Sequence, residues 1–98
     1  MERLTEEQIQ LSLAKAAGWV RKDEKWIEKK YRFKEFMQGI AFVGKVAELA
    51  ERHDHHPLIS IDYKLVTLRL SSWNAGGLTE LDLRMAEECN DIFNGMPR

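Results

Sequence analysis

Apolar and polar positions along the chain follow two different periods. Ile9, Leu13, Ala16 and Ala17 recur at helical spacing, and Gly18 is a natural stop. Ahead of them, Thr5-Glu6-Glu7-Gln8 is a capping box in which Thr5 and Gln8 satisfy each other's backbone N–H groups. Leu4 and Ile9 flank it at the staple positions. The spacing then switches to alternation and predicts strands over 19–22 and 26–33 around a turn at Asp23-Glu24. Phe33, Phe36, Met37, Ile40, Val43, Val46, Ala47 and Ala50 return to helical spacing and predict a long helix that buries one side. Gly39 and Gly44 inside it mark either close packing or tolerated costs. Pro57 closes the region, because the residue before a proline is pushed out of the helical well.

Residues 58–71 read as a hairpin. Ile59 and Ile61 share one face of its first strand, and Val66, Leu68 and Leu70 share one face of its second. A two-residue turn at Tyr63-Lys64 pairs Ile61 with Val66 and Ile59 with Leu68, which keeps the apolar faces together and sets His56 opposite Ser71. Tyr-Lys is poor turn chemistry, so a longer even-length loop satisfies the same parity. In either case Ser71, Ser72 and Trp73 return beside the end of the long helix. Asn74-Ala75-Gly76-Gly77 is a loop, with the glycines read as turn geometry. Thr79-Glu80-Leu81-Asp82 opens a last helix, lined inside by Leu78, Asp82, Met85, Ala86, Cys89, Ile92 and Phe93. The expected fold is a single α+β domain over 1–98, in the order α-β-β-α-β-β-α. Its four-stranded antiparallel sheet has helices packed on one face.

Composition narrows the function classes. A chain of 98 residues buries only part of its surface, and self-association is the expected support. Cys89 is the single cysteine, which excludes an internal disulfide and a multi-cysteine zinc site. With 15 basic and 16 acidic residues interspersed, charge offers no reason to expect nucleic acid or an anionic membrane as partner. Lys29-Lys30-Tyr31-Arg32, diluted by Glu28 and Glu35, reads as one solvated strand face. No apolar run approaches the ~20 residues of a spanning helix. Met1-Glu2-Arg3 leads into a polar helix, so a cytoplasmic location is expected.

The candidate chemistry sits in Glu51-Arg52-His53-Asp54-His55-His56-Pro57, which holds every histidine of the chain. An unperturbed imidazole titrates near pH ~6.5 and suits proton transfer in both directions. The partial negative charge of a helix C-terminus, with Glu51 and Asp54, favours the charged form, so these histidines are candidate general acids. His56, before Pro57, is expected to be extended, while His55 sits at the helix cap; their side chains then point in different directions. A single capping histidine would be the plainer reading, but three beside two carboxylates favour function. A metal site is the rival, yet adjacent histidines rarely converge on one ion and no second ligand cluster exists. Asp82 either completes a helix cap or, lying on an apolar stripe, meets a histidine of the cluster. Trp73 is either a packing aromatic or a flat face for a planar ring. Ser71 suits hydrogen bonding, and Cys89 suits the core.

Glu51, His55-His56-Pro57, Tyr63, Trp73, Gly77-Leu78-Thr79 and Asp82 together resemble the signature of the pterin-4a-carbinolamine dehydratases, over nearly the whole chain. The resemblance implies dehydration of 4a-hydroxytetrahydropterin to the quinonoid dihydropterin, with no metal or organic cofactor. It implies His55 as the acid near the hydroxyl and His56 as a pterin-binding residue that assists proton removal. Asp82 would polarise the site. Glu51 and Asp54 would orient histidines or contact the ring, and Ser71, Ser72 and Trp73 would line the pocket. Many members carry a third histidine where this chain has Trp73, which implies unequal handling of the two carbinolamine stereoisomers. The family also implies a homodimer or homotetramer. Two alternatives remain: a pterin-binding protein in molybdopterin metabolism, and a non-catalytic oligomeric regulatory module.

Overall fold

The two hairpins form one sheet because their inner strands pair with each other. A computed structural model describes residues 2–97; Met1 and Arg98, the ends of the expected domain, lie outside the described residues. The elements are α1 (Glu6–Leu13), β1 (Val20–Arg21), β2 (Ile27–Arg32), α2 (Phe36–His53), β3 (Leu58–Asp62), β4 (Leu65–Leu70), a 3-10 turn (Trp73–Ala75) and α3 (Glu80–Gly95). The sheet is antiparallel with strand order β1-β2-β4-β3. Element order, strand number and the placing of the helices on one face agree with the expected α+β fold. Among the described residues no helix is long and apolar enough to cross a membrane.

The β3–β4 register is the one alternation demands: Ile61 faces Val66, Ile59 faces Leu68, and the turn is the two residues Tyr63 and Lys64. Tyr63 accepts a left-handed φ of 55° to make it, a conformation better suited to glycine or asparagine. Its ring stacks on Phe36 at 6.4 Å. Val66, Leu68 and Leu70 are buried under the helices, whereas Ile59 and Ile61 stay partly exposed because β3 is an edge strand.

Three expectations are corrected. The run 29–32 does not share one solvated face, because alternation turns Lys29 and Tyr31 inward opposite Leu68 and Val66. Lys29 Nζ donates to the Ala17 carbonyl and to Asn90 Oδ1, both at 2.8 Å, and burial lowers its pKa. Tyr31 donates its O–H to the same Asn90 oxygen at 2.6 Å. The buried stripe of α2 is Gly39, Phe42, Val46, Leu49 and Ala50, while Phe36, Met37 and Ala47 face outward. Phe33 precedes the helix and packs on Phe42 at 5.4 Å between centroids. The two helix glycines also separate: a Cβ at Gly39 would lie 3.3 Å from Phe33, but one at Gly44 meets nothing within 4 Å. Third, the predicted first helix is shorter. It ends at Leu13, and Ala16 is buried beyond it.

Candidate active site

A left-handed aspartate sets the geometry of the histidine cluster. Asp54 closes α2 with φ 49° and ψ 45°, a conformation aspartate tolerates better than most side chains. Asp54 N–H donates to the Glu51 carbonyl at 3.3 Å and His55 N–H to that of Ala50 at 3.0 Å. This is the Schellman pattern, with aspartate in the usual glycine position. The helix cap is therefore Asp54, one residue before the position expected for His55. The backbone reverses there and splits the histidines among three carboxylates. His53 meets Glu88 at 2.8 Å, His55 meets Asp82 at 2.6 Å, and His56 meets Glu51 at 2.5 Å.

Asp82 comes from the first turn of α3, whose packing against α2 brings the two segments together. Its side chain is 0% exposed. Oδ2 accepts the Thr79 N–H at 2.9 Å and the Ser72 O–H at 2.7 Å, while Oδ1 accepts from His55 Nε2. The two readings open for Asp82 are thus one arrangement, with one oxygen capping the helix and the other holding the histidine. Three donors compensate a carboxylate that would be costly to bury alone. A carboxylate only accepts, so the proton of the His55–Asp82 bond resides on Nε2.

Residues 72–77 form the opposite wall. Ser72 and Gly77 exchange backbone hydrogen bonds at 3.1 and 3.3 Å, and Ala75 N–H donates to the Ser72 carbonyl at 2.9 Å. Gly76 closes the turn at φ 76°, where a side chain would be strained. Leu4 N–H donates to the Leu78 carbonyl at 2.8 Å, bracing the loop from the N-terminal segment.

Between these walls lies a cavity of about 260 Å³ lined by His55, Ser72, Trp73, Asn74, Ala75, Thr79 and Leu81. Of the residues expected at the site, His55, Ser72 and Trp73 stand in its wall, and Asp82 backs His55. Trp73 is 79% exposed at the mouth, so it is not a core aromatic. Ser71 is buried outside the lining. His56 and Glu51 form an exposed pair that is also outside the lining, and exposed Asp54 serves as the backbone cap. Sequence reasoning missed Asn74, Ala75, Thr79 and Leu81 as lining residues. Only Thr79 carried a signal, as the helix cap three residues before Asp82. Among the described residues no group of three histidine, cysteine or carboxylate side chains is placed to hold a metal ion.

Residues 2–92 match the family model described as pterin 4 alpha carbinolamine dehydratase. A Koribacter versatilis protein provisionally named for that activity is 45% identical over 89 residues, spanning 91% of this chain and 94% of its own length. A similarly named protein of Sulfurisphaera tokodaii is 36% identical over 93 residues, spanning 95% and 99% of the two chains. Among solved structures, the transcriptional coactivator/pterin dehydratase from Brucella melitensis superposes with a TM-score of 0.88 at 35% identity, covering 93% of this chain and 98% of that one. A pterin dehydratase-like RuBisCO assembly factor of the alpha-carboxysome superposes at 0.66 with 21% identity, covering 80% and 92%, a likeness of fold alone.

Proposed function

The chain belongs to the pterin 4 alpha carbinolamine dehydratase family, and from that premise we propose that it is a hydro-lyase acting on 4a-hydroxytetrahydropterins by histidine acid–base catalysis. The observation that carries this reading is the His55–Asp82 pair set in a cavity wall beside Trp73. Asp82 occupies Nε2, so the nitrogen left for a substrate is Nδ1. As an imidazolium, His55 donates the Nδ1 proton to the 4a-hydroxyl while the C4a–O bond breaks and water leaves. The N5 proton passes to His56, whose other support is Glu51, and the C4a=N5 bond of the quinonoid product forms. Exchange with solvent returns both histidines to their starting states. Every proton in this sequence moves between side chains, substrate and water, so the reading needs neither a metal nor an organic cofactor.

Glu51 orients His56, Asp54 turns the backbone that parts the histidines, and Ser71 and Ser72 support the pocket. Trp73 supplies a flat apolar face without an acid–base group, so one carbinolamine stereoisomer is turned over faster than the other. Equal rates for the two isomers would contradict that assignment. The physiological role in this reading is recycling of a tetrahydropterin cofactor in the cytoplasm. Self-association is supported by the open edge of β3 and the partly exposed Leu58, Ile59, Ile61 and Tyr63 beside it; a monomer in sedimentation equilibrium would remove it.

The deciding experiment is stopped-flow dehydration of synthetic 4a-carbinolamine by the purified protein and by the His55→Ala/His56→Ala double variant. A rate above the spontaneous one that disappears in the variant supports the assignment. An unchanged rate in the variant refutes it.

A further inference from the structure

We propose that Thr79 and Ser72 form a directional hydroxyl relay that positions Asp82, and through it His55. Ser72 is then a positioning residue and spends its proton away from the substrate. Ser72 Oγ lies 2.7 Å from Asp82 Oδ2 and 2.8 Å from Thr79 Oγ1. A serine hydroxyl has one proton and a carboxylate has none to give, so Ser72 must donate to Asp82. With that proton committed, the contact between the hydroxyls must be donated by Thr79. The order is therefore fixed: Thr79 to Ser72, Ser72 to Asp82, and His55 Nε2 to the other carboxylate oxygen at 2.6 Å.

The anchors of the relay come from separate segments. Ser72 is held by its backbone pair with Gly77. Thr79 is buried at the start of α3 and paired with Arg3. A carboxylate gripped at Oδ2 by both Ser72 and the Thr79 N–H cannot rotate without losing a buried hydrogen bond. Its other oxygen therefore stays in line with His55, and His55 keeps its proton on Nε2 and presents Nδ1. Although Ser72 stands in the cavity wall, it offers a ligand only its remaining lone-pair capacity.

The kinetic consequence rests on the dehydratase reading; the tautomer consequence does not. In ligand-free protein, imidazole 15N spectra of the wild type should show His55 as the Nε2-protonated tautomer in its neutral form. Ser72→Ala should mix the tautomers and lower kcat by roughly tenfold to a hundredfold, the range for a hydrogen bond to a charged group. KM should stay within about twofold, since ground-state binding is not what is lost. Ser72→Thr, which restores the hydroxyl, should recover both the spectrum and the rate. Should Ser72→Ala fail to fold, Thr79→Val removes the outer donor together with the capping hydroxyl of α3 while leaving the Thr79 N–H on Asp82, and should shift the spectrum in the same direction by less. The proposal is overturned by a wild-type His55 spectrum in Ser72→Ala, or in Thr79→Val where that variant is the test. It is equally overturned by a raised KM at constant kcat, or by failure of Ser72→Thr to rescue. If the wild type shows no dehydratase activity, the functional reading falls and the spectra alone decide the relay.

Discussion

Two histidine–carboxylate pairs lie next to each other in sequence and have almost the same length, yet they occupy opposite electrical environments. His55 and Asp82 meet at 2.6 Å with side chains 16% and 0% exposed; His56 and Glu51 meet at 2.5 Å with 56% and 77% exposed. The first joins positions 27 residues apart and the second positions 5 apart. Distance alone would rank them as equals. Burial separates them, because water screens the open pair while the closed one is tied to three segments at once. Such a closed pair is costly to break from one side, since the remaining charge is left without a partner. A working acid is best held in the closed pair, and a group that must exchange protons with solvent in the open one.

The largest expected break in this comparison is kinetic. His55→Ala should lower kcat/KM for carbinolamine dehydration by about 10²–10⁴, the usual contribution of a positioned acid–base group, read by stopped-flow absorbance. Next comes stability: Asp82→Ala should cost about 3–5 kcal/mol in urea unfolding, because it strands the donors of Ser72, Thr79 and His55 in the interior. His56→Ala should retain the fold and lose activity about tenfold, as an exposed proton acceptor that water partly replaces. Cys89 offers a local reporter on α3. Burial, and then the neighbouring Glu88, push its thiol up to about 12, so alkylation at neutral pH should be slow in the wild type and rise severalfold in Asp82→Ala. It should not rise in Glu51→Gln. The same thiol holds its proton in the folded chain where an unfolded cysteine loses it near pH ~8.5. Stability should therefore fall between that pH and about 12, with a shallower slope in Cys89→Ala. The smallest effect is that of Glu51→Gln, within about 1 kcal/mol of wild-type stability. A larger loss there would mean that the two pairs are not as different as their exposure implies.

The place of the chemistry and the frame around it are legible in the sequence. Pro57 and the histidine run located the chemistry, and the alternation of Ile59, Ile61, Val66 and Leu68 set the hairpin register, because a slip by one residue would turn every apolar side chain outward. Lys29 departs from the solvated face that a basic run suggests, because strand period overrides composition and sends alternate residues inward. Phe36 and Met37, in the first turn of the helix, face outward, whereas Val46 and Ala50 of the expected stripe are buried beside Phe42 and Leu49. Asn74, Ala75 and Leu81 carried no signal at all, since their place in the cavity wall follows from how a loop closes.

What the sequence determined by itself is therefore local: the element order, the capping residues Thr5 and Thr79, the hairpin register, and the confinement of all histidines to one helix end. Each follows from periodicity or from chemistry within a few residues. Only the tertiary structure decided which histidine was buried. That choice depends on Asp54 turning left-handed, on β2 pairing with β4, and on α3 docking so that Asp82 reaches His55. These contacts span tens of residues, and their strength comes from exclusion of water, which no spacing rule along the chain records.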